Sequence, residues 1–315
     1  MVLLRRLALV LAALLSLAGG LIAVLWFLAQ IRADQGYPPD RGRLVETAMG
    51  SIYVEEAGPA DGEVVLLLHG SIGWSRLWSE TAAALAAEGY RAIAFDMPPM
   101  GWSERPADAE YDRTTQGQRI LALVDAMGIR PHLVAHSFGA GAGAEAALAD
   151  PQAFASLVIV DGAIGLGTGP SDPPAWTDSR LLTELATTTV IMNPLLTGAG
   201  LRAFVHRKDS ITDHWTGIVE GPFRRRNTPR RIAQWLPSLL TTPAGPSTDP
   251  GRWATLDLPV GILWGAEDTV TPLEQGERLA ALIPRARLIV MPDIGHIPQI
   301  EDPAAFQAAL LSVLR

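Results

Sequence analysis

The sequence predicts an α/β fold in which a doubly wound, mostly parallel sheet is covered by helices on both faces. Short apolar runs such as "EVVLLLHG" and "SLVIVDGA" are continuous rather than alternating, which is typical of strands buried on both sides. Amphipathic stretches of helical length separate these runs, and such alternation of strands with helices builds a parallel sheet. A helical cap insertion and an N-terminal transmembrane helix complete the predicted fold class.

The predicted strands and helices alternate in this way along the chain. A hairpin that turns near Met49 and Gly50 comes first. Six buried strands are then predicted to end at or near His69, Asp96, Ser137, Asp161, Gly265 and Met291. The predicted helices span residues Trp78–Glu88, Gln116–Met127, Gly139–Ala149, Glu274–Leu282 and Pro303–Leu314.

The amino terminus contains an uncharged apolar run, Leu7–Leu28, of 22 residues. As a helix it would be about 33 Å long, against roughly 30 Å of bilayer hydrocarbon. Arg5 and Arg6 precede it and favour a cytoplasmic N-terminus. We therefore predict a single-pass anchor with an extracytoplasmic catalytic domain. The alternative is a cleaved signal peptide, although its apolar core would normally be shorter and "WFLAQIRADQ" is a poor cleavage site.

The rest of the chain divides into a linker and an interrupted core. A polar, proline-containing linker covers residues 33–43 and separates the core from the anchor or signal segment, 1–32. Residues 165–255 have no strong strand pattern, so we predict a helical cap inserted over the carboxyl edge of the sheet. Core segments 44–164 and 256–315 flank it.

Composition limits the function classes. Hydrophobic residues make up 48% of the 315 residues, enough for a large buried core, and the net charge of −8 disfavours nucleic acid as a partner. The absence of cysteine excludes disulfides, thiolate metal sites and a cysteine nucleophile. Neither a phosphate-binding glycine loop in a strand–helix context nor a metal-ligand cluster appears. We therefore predict neither a cofactor nor a metal.

The segment "LVAHSFGAGAG" places Ser137 between a predicted strand and a predicted helix. A side chain at such a sharp turn is held exposed above the sheet edge. Ala135 and Gly139, two residues to either side, leave room for the turn. The helix N-terminus that follows favours a developing oxyanion. The pattern predicts a nucleophile, although a serine that merely caps a helix would give the same short motif.

Two further residues fit a nucleophilic serine. Such a hydroxyl requires a base, and the base requires an acid that orients it. Asp268 in "LWGAEDTVTP" and His296 in "MPDIGHIPQIEDP" each follow a predicted strand. Chemistry in open α/β sheets collects at this edge, and the order Ser137, Asp268, His296 is typical of the architecture. Asp161 also ends a strand and is the alternative acid.

The loop "LLLHGSIGW" predicts the oxyanion site. Gly70 lets the backbone turn, so that the amide of Ser71 can point inward beside the amide of Phe138, the residue after the nucleophile. His69 is interpreted as a structural residue that bonds to nearby loop carbonyls.

From about Leu44 to Arg315 the chain resembles the α/β-hydrolase fold superfamily, in the capped branch that holds haloalkane dehalogenases, epoxide hydrolases, carbon–carbon bond hydrolases and small esterases. The resemblance rests on "LLLHGSIGW", "FDMPPMGWSERP", "HLVAHSFGA", "LPVGILWGAEDTVTP" and "MPDIGHIPQIEDP", in that order. Pro99 and Met100 depart from the usual glycine and histidine of the second motif, and Ala135 replaces the first glycine of the nucleophile motif.

The resemblance implies a reaction class. Dehalogenases and epoxide hydrolases of this branch use aspartate as the nucleophile, whereas this chain has Ser137. Serine suits acyl transfer, so we predict a carboxylic-ester hydrolase that acts through an acyl-enzyme on a small apolar acyl or ester substrate. Two alternatives stay open. One is hydrolysis of a carbon–carbon bond next to a ketone by the same triad, and the other is a ligand-binding receptor on this fold.

Two features of the predicted cap have two interpretations each. "FRRRNTPRR" holds five arginines in nine residues, either as a solvated face or as a contact with anionic lipid headgroups. A set of aromatic residues forms either the cap's own core or an apolar substrate pocket. This set comprises Trp176, Trp215, Phe223, Trp235 and Trp253.

Overall fold

The computed structural model describes residues 2–32, 38–106, 110–167, 169, 171–241 and 245–315. Its centre is one eight-stranded sheet with strand order β1-β2-β4-β3-β5-β6-β7-β8. The strands are β1 (Gly42–Val45), β2 (Ile52–Ala57), β3 (Val64–Leu68), β4 (Arg91–Phe95), β5 (His132–His136), β6 (Ser156–Val160), β7 (Val260–Gly265) and β8 (Arg287–Met291).

The sheet is parallel from β4 to β8, and β1 and β2 form an antiparallel edge. Its register aligns the carboxyl ends of the central strands, because Leu68 of β3 lies opposite both Phe95 of β4 and Ala135 of β5. The loops that leave these strands therefore meet along one edge of the sheet.

Helices cover both faces, as predicted for a doubly wound sheet. Alternate strand residues point to opposite faces, so Leu66 and Leu68 join one apolar cluster while Val65 and Leu67 join the other. The first cluster includes residues of α3 (Arg113–Met127), α4 (Phe138–Ala149) and α10 (Leu273–Leu282). The second includes residues of α2 (Ser79–Ala87) and α12 (Pro303–Leu314). A short helix, α11 (Pro298–Glu301), precedes α12.

Helices also occupy the segment between β6 and β7, which we call the cap. They are α5 (Arg180–Ala186), a π-helical segment Thr187–Ile191, α6 (Pro194–Phe204), α7 (Asp213–Glu220), α8 (Thr228–Leu239) and α9 (Pro250–Ala254). No strand lies among the described residues of this segment. The Trp235 ring packs edge-on against Phe138 with ring centroids 5.3 Å apart, so α8 lies above the start of α4. The boundaries 165 and 255 remain a prediction.

The predicted ends of helices differ from the observed ends by a few residues. Helix α3 begins at Arg113 rather than at Gln116, because the Asp112 carboxylate accepts hydrogen bonds from the Thr114 and Thr115 N–H groups and caps the helix there. The predicted hairpin is present as β1 and β2, and the Thr47 hydroxyl, which donates to the Gly50 carbonyl, closes its turn.

The N-terminal helix, α1 (Val2–Arg32), contains the apolar run predicted from the sequence. Its candidate membrane span is Val10–Ile31, with a mean hydropathy of 2.4. By length and composition this helix is a candidate either for a membrane anchor or for a signal sequence. Towards its C-terminal end α1 contacts the cap, at Thr187–Ile191 and at Gly221–Arg224.

Candidate active site

Ser137 occupies a strained turn between β5 and α4. Its backbone has φ 54° and ψ −124°, a conformation that costs energy for a residue with a side chain. Hydrogen bonds hold it there, because its N–H donates to the Val160 carbonyl and its own carbonyl accepts from Ala140 and Ala163.

Small residues surround the turn because other backbone passes close to it. A Cβ atom on Gly139 would lie 2.3 Å from the His69 carbonyl oxygen, and a Cβ on Gly70 would lie 2.8 Å from the Ser137 Cβ. Both distances are shorter than real Cβ contacts. The loop after β3 and the serine turn therefore fit together only with glycine at these two positions.

The structure brings the three predicted residues into one hydrogen-bonded chain. The distance from His296 Nε2 to Ser137 Oγ is 2.8 Å, and that from His296 Nδ1 to Asp268 Oδ2 is also 2.8 Å. All three side chains are buried. A hydroxyl, an imidazole and a carboxylate in this order can move a proton from the hydroxyl to the imidazole.

The Asp268 carboxylate is held by the loop that follows β7. Its Oδ1 accepts hydrogen bonds from the Val270 and Thr271 N–H groups at 2.7 and 3.0 Å, and its Oδ2 accepts from the Thr271 hydroxyl at 2.7 Å. Burial alone would raise the pKa of Asp268, but the hydrogen bonds from His296 and Thr271 outweigh it and lower the pKa below its ordinary value. Asp268 is therefore ionised and can orient the imidazole.

Asp161, the alternative acid, lies beside Asp268 but forms no hydrogen bond to the imidazole. Its Oδ1 accepts from the Gly265 N–H at 2.8 Å, and its Oδ2 is buried with no partner among the described residues. Burial first, and then the neighbouring charge of Asp268, raise the pKa of Asp161 well above its ordinary value. Of the two carboxyl groups, Asp161 is thus the one that takes up a proton more readily.

Within the described part of the chain, a cluster with metal-ligand spacing consists of Asp161, Asp268 and His296. Their ligand atoms lie within 4.8 Å of one another. Two ligands of a tetrahedral ion, each about 2.1 Å from it, would lie roughly 3.4 Å apart. The 2.8 Å separation of His296 Nδ1 and Asp268 Oδ2 fits a hydrogen bond instead.

The two predicted oxyanion donors flank Ser137. Ser71 lies in the loop after β3, and Phe138 is the first residue of α4. Neither backbone N–H donates to an acceptor among the described residues, so both are available to a ligand. The His69 ring supports this loop, because its Nδ1 lies 2.7 Å from the Gly70 carbonyl and its Nε2 accepts from the Met97 N–H. Burial lowers the pKa of His69 to about 4, so the ring is neutral.

Glu301 is a residue of the site that the sequence analysis missed. Its buried carboxylate accepts hydrogen bonds from the N–H groups of Gly295 and Ile297, on either side of His296, at 3.0 and 3.2 Å. It also accepts from the N–H groups of His206 and Arg207 in the cap, at 2.8 and 3.0 Å. Glu301 thus ties the histidine loop to the cap. In the sequence, only its position five residues after His296, within "MPDIGHIPQIEDP", pointed to it.

The other histidines do not reach Ser137 by a hydrogen bond. The His136 Nε2 lies 2.7 Å from the His296 carbonyl, and burial followed by the neighbouring His296 lowers the pKa of His136 to about 3. His132 contacts Ser156 and Glu63 away from this edge. The two remaining histidines, His206 and His214, are exposed on the cap.

Comparison with known proteins identifies the family of the chain. The family model described as alpha/beta hydrolase fold matches residues 63–303. The 2-hydroxy-6-oxononadienedioate/2-hydroxy-6-oxononatrienedioate hydrolase of Cupriavidus pinatubonensis is 28% identical over 271 residues, which cover 84% of this chain and 90% of the relative. The 2-hydroxy-6-oxo-6-phenylhexa-2,4-dienoate hydrolase of Burkholderia cepacia is also 28% identical, over 84% of this chain and 91% of the relative.

Solved structures show the same fold. The meta-cleavage product hydrolase from Pseudomonas fluorescens IP01 superposes with a TM-score of 0.68 and 25% identity, covering 87% of this chain and 97% of that one. A bacterial membrane phospholipase A superposes with a TM-score of 0.64 and 23% identity, covering 98% of both chains. The second superposition therefore extends into the N-terminal helix.

Proposed function

Because the chain belongs to the alpha/beta hydrolase fold family, we propose that it is a serine hydrolase with Ser137 as nucleophile, His296 as general base and acid, and Asp268 as the orienting acid. The observation that carries the proposal is the pair of 2.8 Å hydrogen bonds that joins these three side chains. The family supports the enzyme class, and this geometry supports the proposed residue roles.

In the proposed mechanism Ser137 Oγ attacks a substrate carbonyl carbon while His296 Nε2 takes the hydroxyl proton. Asp268 holds the Nδ1–H tautomer and stabilises the imidazolium. The Ser71 and Phe138 amides hold the oxyanion of the tetrahedral intermediate. The imidazolium then protonates the leaving group, and a water molecule, deprotonated by His296, releases the acyl group from Ser137.

For the bond that is cleaved, we propose a carbon–carbon bond next to a ketone, in a substrate of the 2-hydroxy-6-oxodienoate class. The relatives described above carry that activity in their names and match 84% of the chain. The triad is compatible with it, because His296 can deliver a proton to a carbon leaving group as well as to an oxygen. The reaction that the sequence analysis kept as its first alternative thus has the stronger support.

Carboxylic-ester hydrolysis, the main sequence-based prediction, is the second candidate. It is favoured by the cleft beside the oxyanion loop, which is lined mostly by apolar side chains, among them Ile72, Val219, Phe223 and Ile232. Such side chains would contact an apolar acyl group more favourably than a charged one. A polar dienoate would depend on the half-buried Arg105 guanidinium, which lines the same cleft.

We also propose that α1 stays in place as a membrane anchor and holds the hydrolase on the extracytoplasmic side. The 22-residue span Val10–Ile31 is long enough to cross a bilayer. The contacts between α1 and the cap support an uncleaved helix, because a removed signal segment has no partner surface in the mature protein.

Parallel assays of the wild-type chain and Ser137→Ala test the reaction. The substrates are 2-hydroxy-6-oxo-6-phenylhexa-2,4-dienoate and p-nitrophenyl butyrate, and product formation is measured for each. Dienoate turnover that is lost in Ser137→Ala is the expected result. Turnover of the ester alone, lost in the variant, would favour the second candidate. Binding of both compounds without turnover of either would contradict both and favour a receptor.

A further inference from the structure

The cap carries an exposed apolar surface that the proposed chemistry does not use. Leu195 is 82% exposed and Val190 is 60% exposed. We define the apolar cap face by these two residues and four further exposed side chains on α5 and α6, namely Leu181, Leu182, Leu196 and Phe204. The six side chains lie on three consecutive elements, α5, the π-helical segment and α6. Exposed apolar residues grouped in this way are a feature of contact surfaces.

The central part of the face is uncharged as well as apolar, and the exposed Arg202 lies near its end at Phe204. From Leu185 to Leu201 the sequence contains no charged residue. At its N-terminal end the Glu184 carboxylate is paired with Arg180 at 2.7 Å. A solvated helical surface normally carries charged side chains on its outer side, so water is a poor partner for this one.

The position of α1 indicates what covers the face. Leu25 is half-buried and Ala29 is buried, and α1 contacts the cap at Thr187–Ile191, the segment that contains Val190. Ala29 lies two residues before the end of the apolar span, which is about 3 Å along the helix. A bilayer that accommodates the span therefore ends at the level where the cap begins.

We propose that the apolar cap face lies in the interface of the same lipid bilayer that holds α1. This inference rests on the proposed anchor and not on which bond the enzyme cleaves. The "FRRRNTPRR" segment overlaps the second cap segment that contacts α1, which ends at Arg224. Arg224 is exposed, and so are Arg226 and Arg230 just beyond it. An apolar face with basic neighbours is typical of surfaces that bind anionic lipid interfaces.

The face also reaches the triad. The Phe204 ring, which is exposed on one side, lies 5.9 Å from the His296 ring, and the Phe204 carbonyl accepts a hydrogen bond from the His296 N–H. A face that contacts lipid at Leu195 would therefore have its other end beside the catalytic histidine.

Single-cysteine labelling of the full chain tests the proposal cleanly, because the protein has no cysteine of its own. Leu195→Cys reports on the face. Leu17→Cys, in the middle of α1, is the control for lipid, and Gln152→Cys, an exposed position between α4 and β6, is the control for water. Each variant is spin-labelled and reconstituted into vesicles of phosphatidylethanolamine and phosphatidylglycerol. Its collision rates with oxygen and with a water-soluble nickel complex are then compared.

The expected result is that the labels at 17 and 195 collide preferentially with oxygen and the label at 152 with the nickel complex. A label at 195 that behaves like the one at 152 would overturn the proposal, whether or not the label at 17 is in lipid. Dienoate and ester turnover by Leu195→Cys, measured in detergent, shows that the variant is folded. The proposed chemistry is scored separately by Ser137→Ala, so the two proposals fail independently.

Discussion

The carboxyl groups of Asp161 and Asp268 lie side by side at the carboxyl edge of the sheet, yet of the two only Asp268 is hydrogen-bonded to the imidazole of His296. The loop after β7 makes this difference. It directs two backbone N–H groups and the Thr271 hydroxyl at Asp268, while Asp161 receives one N–H from Gly265. The carboxyl group with more hydrogen-bond donors has the lower pKa, and the pKa of the other is raised by burial.

Isosteric amides at the two positions should therefore differ sharply in effect. Asp268→Asn should lower kcat on the order of 10⁴-fold, because the amide cannot stabilise the imidazolium and favours the wrong tautomer. Asp161→Asn should leave kcat near the wild-type value, because Asp161 forms no hydrogen bond to His296 and the amide oxygen still accepts from Gly265. Steady-state kinetics of both variants check this. Equal losses in both would contradict the assignment of Asp268.

Glu301 should act through the position of His296. In Glu301→Gln the amide NH₂ group would face backbone N–H donors, so at least one of them loses its partner, at a cost of about 1–3 kcal/mol. We expect a lower melting temperature and a kcat reduced about 10- to 100-fold by the displaced imidazole. Glu274→Gln on the exposed side of α10 is the matched control. A variant with unchanged kcat would show that Glu301 only joins the cap to the core.

Gly139→Ala should abolish activity for a steric reason. The added methyl group would lie 2.3 Å from the His69 carbonyl oxygen, so the serine turn or the oxyanion loop must move. Gly217→Ala in α7, where nothing lies within 4 Å of the added atom, is the control and should be slightly more stable because alanine favours the helix. Kinetics and thermal unfolding of both variants test the fit; normal turnover by Gly139→Ala would rule it out.

His136 should contribute to the pH dependence of stability. Burial lowers its pKa to about 3 in the folded state, against about 6.5 in the unfolded chain, so the unfolded chain binds the proton first. This contribution is present above pH 6.5 and is lost as the pH falls towards 3. His136→Gln removes it.

The loss of unfolding free energy between pH 7 and pH 5 should therefore be smaller in His136→Gln by about 2 kcal/mol. Urea unfolding at the two pH values measures it. The pKa of Asp96, raised to about 6 by burial, gives a trend of opposite sign, because the folded state takes up its proton first. That trend is present in both proteins and cancels in the difference. An unchanged pH dependence would show that His136 is not neutral and buried in the folded protein.

The features that the sequence predicted are those that depend on residues close together in the chain. The continuous apolar runs predicted the strands of the sheet, and the small residues around Ser137 predicted the sharp turn at that serine. Ser137, Asp268 and His296 each follow the end of a strand, so the sequence also predicted that they meet. The roles of Glu301 and Thr271 could not be predicted, because they depend on how two loops distant along the chain approach each other. Whether Asp161 or Asp268 contacts His296 was likewise a matter of loop geometry, and sequence order alone left both open.

The cap shows the other limit of sequence reasoning. Aromatic residues predicted either a cap core or a pocket, and the structure buries Trp235 and Trp253 completely while Trp176 is 39% exposed. The sequence did not indicate the apolar cap face, because helices that are buried and helices that are exposed can have the same leucine content. Only the tertiary structure shows which of these leucines are exposed.

The most direct test of the central claim is a mass measurement on the intact chain after reaction with a fluorophosphonate, which forms a stable adduct with an activated serine. We expect one adduct, located on Ser137 by peptide mapping, that is absent in Ser137→Ala and forms far more slowly in His296→Ala. An adduct on another residue, or undiminished labelling of Ser137 without the imidazole of His296, would contradict it.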